Sequence, residues 1–149
     1  MKTISKIPVL CLLLTIFSKT NAQVAIASRP DLFSSYSSII SAPVSELDRA
    51  FNLQSGSAVQ LNFGDNFSFT GTVISSLKRY QNLSSVLIKS TVFKNALLSI
   101  SKRTNPDNSI TYIGRIINEK YADGYQLIED NSGNYSFTKI KTTDLIQDY

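Results

Sequence analysis

The chemistry open to this chain is narrow. It has no His and no Trp, and its one Cys, Cys11, lies in an apolar N-terminal run. A Ser-His-Asp or Cys-His nucleophile, a His or Cys zinc site and a thiol redox centre are therefore out of reach of the residues that follow. The six Gly residues never take the spacing of a phosphate loop or a dinucleotide fingerprint. Carboxylates, Lys and Tyr remain. Glu129 beside Asp130, or Asp123 near Glu119, would be the acid/base pair of a carboxylate-dependent hydrolase acting on envelope or environmental polymers. Adjacent strand residues point to opposite faces and the other two border a turn, so surface and turn roles are the expectation for all four. Asp130 to Asn134 lacks the later bidentate Glu of a calcium loop and reads as a hairpin turn. No metal site and no cofactor is expected.

The sequence is better supplied for recognition. Lys78 and Arg79 precede Tyr80, and Lys120 precedes Tyr121; Tyr and Arg are the side chains favoured as interface anchors. Lys78, Arg79, Tyr80, Lys120 and Tyr121 are accordingly the candidate binding residues. The competing reading is that these rings cap sheet edges.

What must position them is a series of strands. From residue 67 to 141 apolar residues alternate with polar ones in segment after segment: Phe67, Phe69 and Val73; Val86 and Ile88; Leu98 and Ile100; Ile110, Tyr112 and Ile116; Tyr135 and Phe137. A period of two puts alternate side chains on opposite faces of a pleated strand. Thr104 to Asn108, Asp123-Gly124 and Asn131 to Gly133 carry turn chemistry between the segments, and short links make sequence neighbours spatial neighbours. Val59, Leu61 and Phe63 form a strand before them. Phe69, Gly71, Val73 and Ile74 are echoed by Tyr112, Gly114, Ile116 and Ile117, and each copy is followed by a Lys and a Tyr. Chance β patterning and an internal duplication both account for this echo.

Upstream, Asp31 to Ile40 has near-helical apolar spacing despite its serines. Pro43, Glu46, Asp48, Leu47 and Phe51, with Gly56 beyond, predict a helix from about residue 43 to 53. The fold class is therefore α+β, mainly β: an antiparallel meander sheet or open barrel of about six to seven strands with one or two N-terminal helices packed on it. Ile113, Ile117, Ile128 and Ile140 form a second apolar set on the outer face. Either the helices cover it or it stays open for a partner; cover by helix is the expectation, since Val44, Leu47 and Phe51 need somewhere to pack.

Residues 1–22 combine Lys2 and Lys6, an apolar run from Ile7 to Phe17 and a small Ala22, the pattern of a cleaved export signal. Leu10 before Cys11 is too large for a lipoprotein signal, so Cys11 reads as part of the apolar run. The organisation is then 1–22 signal, 23–57 helical lead-in and 58–149 meander, the last two forming one domain with no membrane span in the mature chain. Three of the 15 basic residues leave with the signal and the rest nearly balance 11 acidic ones, which gives no ground for nucleic-acid binding. The remaining basic residues concentrate between residues 71 and 141.

The composition, the Thr20 to Gln23 signal end and the closing Ile140 to Tyr149 resemble small exported proteins of Bacteroidetes-type bacteria. Phe69 to Val73, Ser85 to Ile88 and Tyr112 to Ile116 are similar in order to the β-rich propeptides of reprolysin-type metallopeptidases. That resemblance implies restraint of a protease, here in trans, since neither a protease domain nor an inhibitory Cys accompanies these segments. The expected function is a non-enzymatic periplasmic or extracellular binding domain, its partner an unknown protein or cell-envelope component.

Overall fold

A computed structural model describes residues 29–64 and 66–145. The export signal, with its cleavage after Ala22, lies outside these residues. Eight strands form one antiparallel sheet: β1 (Ile39–Ser41), β2 (Ala58–Asn62), β3 (Ser68–Tyr80), β4 (Leu83–Ser90), β5 (Leu97–Thr104), β6 (Ile110–Ile117), β7 (Asp123–Glu129) and β8 (Tyr135–Lys141). Their order is β1-β8-β7-β6-β5-β4-β3-β2, a meander from β2 to β8 with β1 added beside β8. The sheet curls into a half-barrel whose two edge strands approach where the Gly64 N–H donates to the Ser41 carbonyl, 2.8 Å.

The count of eight exceeds the six to seven expected. The extra strand, β1, lies in the serine-rich stretch read as a helix. Ser side chains compete for helical backbone bonds, whereas Ile40 is β-branched, pairs opposite Phe137 and is fully buried there. One α-helix therefore forms, α1 (Val44–Phe51), shorter than the 43–53 expected and entered through Pro43. Asp123-Gly124 is not a turn but the start of β7. The turn sits earlier, where Asn118 accepts the Lys120 N–H on its side chain and the Tyr121 N–H on its carbonyl. The turns at Asn105–Ser109 and Asp130–Asn134 form as read, the first with Asn108 in the left-handed region and the second with the Asp130 carboxylate accepting the Ser132 and Asn134 N–H groups.

Curling creates a concave side, and that side is the core. Phe69, Gly71 and Val73 of β3 and Tyr112, Gly114 and Ile116 of β6 all face it, so the echoed segments share an inner face, the first at the start of β3 and the second at the end of β6. The two Gly residues belong where neighbouring backbone closes in: a Cβ at Gly71 would collide with the Lys89 carbonyl, and one at Gly114 would lie 2.9 Å from that of Ser99. Helix α1 lays Leu47 and Ala50 into this concavity, both fully buried, and places Phe51 against Tyr112. The helix thus fills the inner face and leaves the outer Ile113 set uncovered, contrary to the expectation of helical cover. A bent sheet has more volume to fill inside than β side chains alone supply, and a helix fills it.

Each end of the concavity is closed differently. At one end Phe33, Phe67, Phe93 and Tyr125 pack together, with Phe67 and Phe93 stacked at 5.3 Å and Phe33 edge-on to Tyr125 at 5.2 Å. Such pairs contribute about 0.5–1.5 kcal/mol each beyond their burial. At the other end α1 packs on β2 and β4, and its Asp48 reaches Lys102 of β5 and Tyr112 of β6.

Candidate functional site

The five residues singled out for binding do not form one patch. Lys78, Arg79 and Tyr80 end β3 at its hairpin with β4, while Lys120 and Tyr121 follow β6 in the turn before β7. Because β3 and β6 run in opposite directions, these turns lie at opposite ends of the sheet, roughly 25 Å apart at about 3.3 Å per residue over one strand length. Tyr80 is exposed and Arg79 Nε donates to Ser85 Oγ, 3.2 Å. Tyr121 is partly covered, its carbonyl accepting from Thr142 Oγ1 at 2.7 Å.

The carboxylates considered for hydrolysis have structural partners. Asp123, buried at the start of β7, accepts the N–H groups of Leu32 and Phe33 at 2.6 and 2.9 Å. Lys139 opposes it in role, donating to the Phe33 and Tyr36 carbonyls, both 2.8 Å. Together they clamp the segment that plugs the aromatic end. Tyr125 belongs to the same clamp: its hydroxyl donates to the Ser37 carbonyl, and burial, then the charge of Asp123, pushes its pKa up to about 12. Glu129 accepts from the Tyr135 hydroxyl at 2.8 Å, and Asp130 is held in its turn.

The α1 end carries the most connected polar group. Asp48 Oδ1 accepts from Lys102 Nζ at 2.6 Å and from the Tyr112 hydroxyl at 2.5 Å, and the Tyr135 oxygen accepts the Tyr112 N–H at 3.2 Å. Burial pushes the Asp48 carboxyl up, but the bonds from Lys102 and Tyr112 outweigh it and leave it below its ordinary value. Burial and then Asp48 raise the Tyr112 hydroxyl well above the ordinary Tyr range. These groups bind one another, tying α1 to β5 and β6.

The convex face is different. A bulge between Val73 and Ser75 inserts Ile74 into β3 and shifts the alternation, so Ile74, Ser75 and Leu77 all turn outward. Across the sheet Leu77 then lines up with Ser85, Ser101 and Ile113, and Thr72 with Lys89, Leu97 and Ile117. Small Ser99 and Ser101 sit low on β5 while Leu87, Ile113 and Arg115 stand higher on its neighbours, which makes shallow grooves. One groove of about 430 Å³ has Ile74, Leu97 and Ile117 along its bed and Lys89, Lys94 and Lys120 around it. A second shares Ile117 and Glu119 with it, a third shares Arg115 and Leu145 with the second, and a fourth joins through Ser101 and Ile113 to reach Tyr80 and Arg103. Lys120 and Tyr80 thus lie at opposite ends of one run of grooves.

The apolar side chains here are open to water: Ile113 is 62% exposed and Ile74 46%. Alternation read through Val73 places Ile74 outward but Ser75 and Leu77 inward; the bulge is what turns Leu77 outward, and it was not legible. Among the described residues the ion pairs are Arg49–Glu46 and Lys102–Asp48, so the convex cations have no carboxylate partner. Also among the described residues, no group of three or more His, Cys, Asp or Glu side chains is placed to hold a metal ion, and no helix is long and apolar enough to cross a membrane. No protein-family model, no curated protein and no solved structure matches this chain.

Proposed function

We propose that the protein is an exported, non-enzymatic binding domain whose contact surface is the convex face of β3 to β6. The observation that carries this reading is the set of exposed apolar side chains Ile74, Leu77 and Ile113, spread over the convex face among cations that have no carboxylate partner among the described residues. Contiguous exposed apolar surface is costly in water and marks interaction sites when it persists. The rigid, filled concave side fits this role, since it holds the strands that present the convex side chains. The pattern of residues 1–22 supports export, and an intact mass of the mature protein lacking those residues is the expected result; a lipidated Cys11 would overturn it.

Capture tests the contact surface. Immobilised protein should retain a partner from the secreted or envelope fraction, and Ile74→Ser with Ile113→Ser should abolish retention without lowering thermal stability. Unchanged retention by the folded double variant would remove the convex face. Restraint of a protease in trans is the narrower form of the same reading, and peptidase activity in the retained fraction, inhibited by the protein, would establish it. The hydrolase reading makes the opposite forecast: neutralising Glu129 or Asp130 would abolish turnover of a polymer while the convex variants stayed active.

A further inference from the structure

We infer that the partner of the convex face is an extended, acidic protein segment with apolar residues at alternate positions; this rests on the proposed contact surface. The grooves that run from Lys120 to Tyr80 are lined by six cations, Arg29, Lys89, Lys94, Arg103, Arg115 and Lys120, against one carboxylate, Glu119. This imbalance is local, because the rest of the chain is nearly neutral. Cations without partners at the rim attract and orient an oppositely charged ligand, while the apolar bed gains from excluding water. Leu97 and Ile117 pair across one groove while Ile113 stands four residues away along β6 in the next, so the apolar steps follow one another along the run and the complementary ligand is long and thin. An extended chain repeats its side chains on one face every second residue, so alternate apolar residues meet the bed together while the acidic ones between them face the long Lys and Arg side chains that rise at the rim.

The cationic end is held in place before any ligand arrives. Lys94 and Asn95 both lie in the left-handed region, φ 49° and 66°, a conformation uncommon for Lys. Asn118 Nδ2, from the neighbouring turn, donates to the Lys94 carbonyl at 2.8 Å and fixes the two turns to each other. Lys94 and Lys120 therefore flank the same groove from separate turns. Backbone strain retained at one spot, with a cross-turn bond that maintains it, fits a role in presenting Lys94.

The test uses a fluorescein-labelled octapeptide of alternating glutamate and leucine, titrated against the mature protein by anisotropy. Its comparators are an alternating lysine and leucine peptide, octaglutamate, and phosphatidylglycerol vesicles. The glutamate–leucine peptide should bind, and more weakly as salt rises through the range where exposed charges are screened. The double variant Lys94→Glu with Lys120→Glu should weaken it by about tenfold, since each exposed charge contributes at most a few-fold, while Ile113→Ser should weaken it without changing the salt dependence. Equal binding of octaglutamate, vesicle binding without peptide binding, or no binding of the glutamate–leucine peptide would overturn the inference. Capture of a natural partner that needs Ile113 but ignores the double charge reversal would also overturn it, while leaving the convex contact surface standing.

Discussion

Lys102 and Lys139, on the concave side of the sheet, are held by Asp48 and by two backbone carbonyls respectively, whereas Lys89, Arg103 and Arg115, on the convex side of the same sheet, have no carboxylate partner among the described residues. The apolar residues divide in parallel: Leu98 and Ile100 of β5 are buried, while Ile113 of β6 stands in water. The difference teaches which half of each strand specifies the fold and which half is free to specify a partner. Side chains that face inward are committed by packing and by hydrogen bonds that would be costly to leave unmade.

The strongest way to break this comparison is to truncate the committed side. Phe69→Ala, Ile100→Ala and Phe137→Ala should each lower stability by about 2–5 kcal/mol in urea unfolding, because each leaves a cavity as well as losing transfer energy. Ile113→Ala should stay within roughly 0.5 kcal/mol. Comparable effects at both sets would show that the two faces are not energetically distinct.

Next in size is the clamp on the N-terminal plug. Asp123→Ala orphans the N–H groups of Leu32 and Phe33, and Lys139→Met orphans the Tyr36 carbonyl and leaves the Phe33 carbonyl with the Tyr36 N–H alone. Each should cost about 1–3 kcal/mol, the range for buried groups that lose a charged partner. Hydrogen exchange would report early opening over residues 31–38. An undisturbed plug in both variants would mean that the aromatic cluster alone holds it.

How much of this was legible in the sequence follows from the range of the interactions involved. Alternation in Tyr112, Gly114 and Ile116 is local, so it reported the strands and their inner faces correctly. The meander was legible for the same reason, since short turns leave few alternatives. The clamp joins Asp123 to residues about 90 positions earlier, and Asp48 meets Tyr112 from 64 positions away. No local pattern encodes such pairs. Phe93, alone in a turn, gave no periodic signal either, although it stacks on Phe67 at the centre of the aromatic end. The grooves of the convex face depended on the bulge at Ile74, a one-residue insertion that alternation cannot reveal. Lys120 and Tyr80 stand out as candidate recognition residues by type, but whether two turns share an end of a sheet depends on strand direction.

The two ends of the concave side should separate in their response to pH. Burial raises the carboxyls of Asp48 and Glu46, yet Lys102 and Tyr112 for the first, and the Asn62 N–H and Arg49 for the second, bring both below their ordinary values of 3.8 and 4.5. A depressed folded pKa means that the unfolded chain binds more protons, so this stabilisation is present above those values and lost as pH falls through them. Both groups are partly exposed, which limits the effect to about 1 kcal/mol or less. Asp48→Asn should therefore flatten the acid limb of a stability–pH curve. Tyr125 is raised to about 12, so between roughly pH 10 and 12 the folded form keeps a proton that the unfolded chain has lost. Stability should fall as pH rises through that window, and because the raised Tyr112 at the α1 end contributes to the same limb, Tyr125→Phe should flatten it in part. An acid limb unchanged by Asp48→Asn, or an alkaline limb unchanged by Tyr125→Phe, would show that these groups do not carry the dependence.

The smallest expected effect is the most discriminating. Arg115 and Lys120 lie at the convex grooves, exposed and without an ion pair among the described residues. Removing an exposed, unpaired charge forfeits no formed interaction and leaves no buried group unsatisfied, so Arg115→Ala and Lys120→Ala should each change stability by less than about 0.5 kcal/mol. Relief of mutual repulsion among the convex cations would even make the change slightly stabilising at low salt, and that gain should vanish as salt is added. Lys139→Met at the same salt gives the contrast, since its loss is of hydrogen bonds rather than of long-range charge and should persist. A large, salt-insensitive loss from Arg115→Ala would show that the convex cations are committed to the fold, and the division of labour between the faces would fail at the point where it assigns a function.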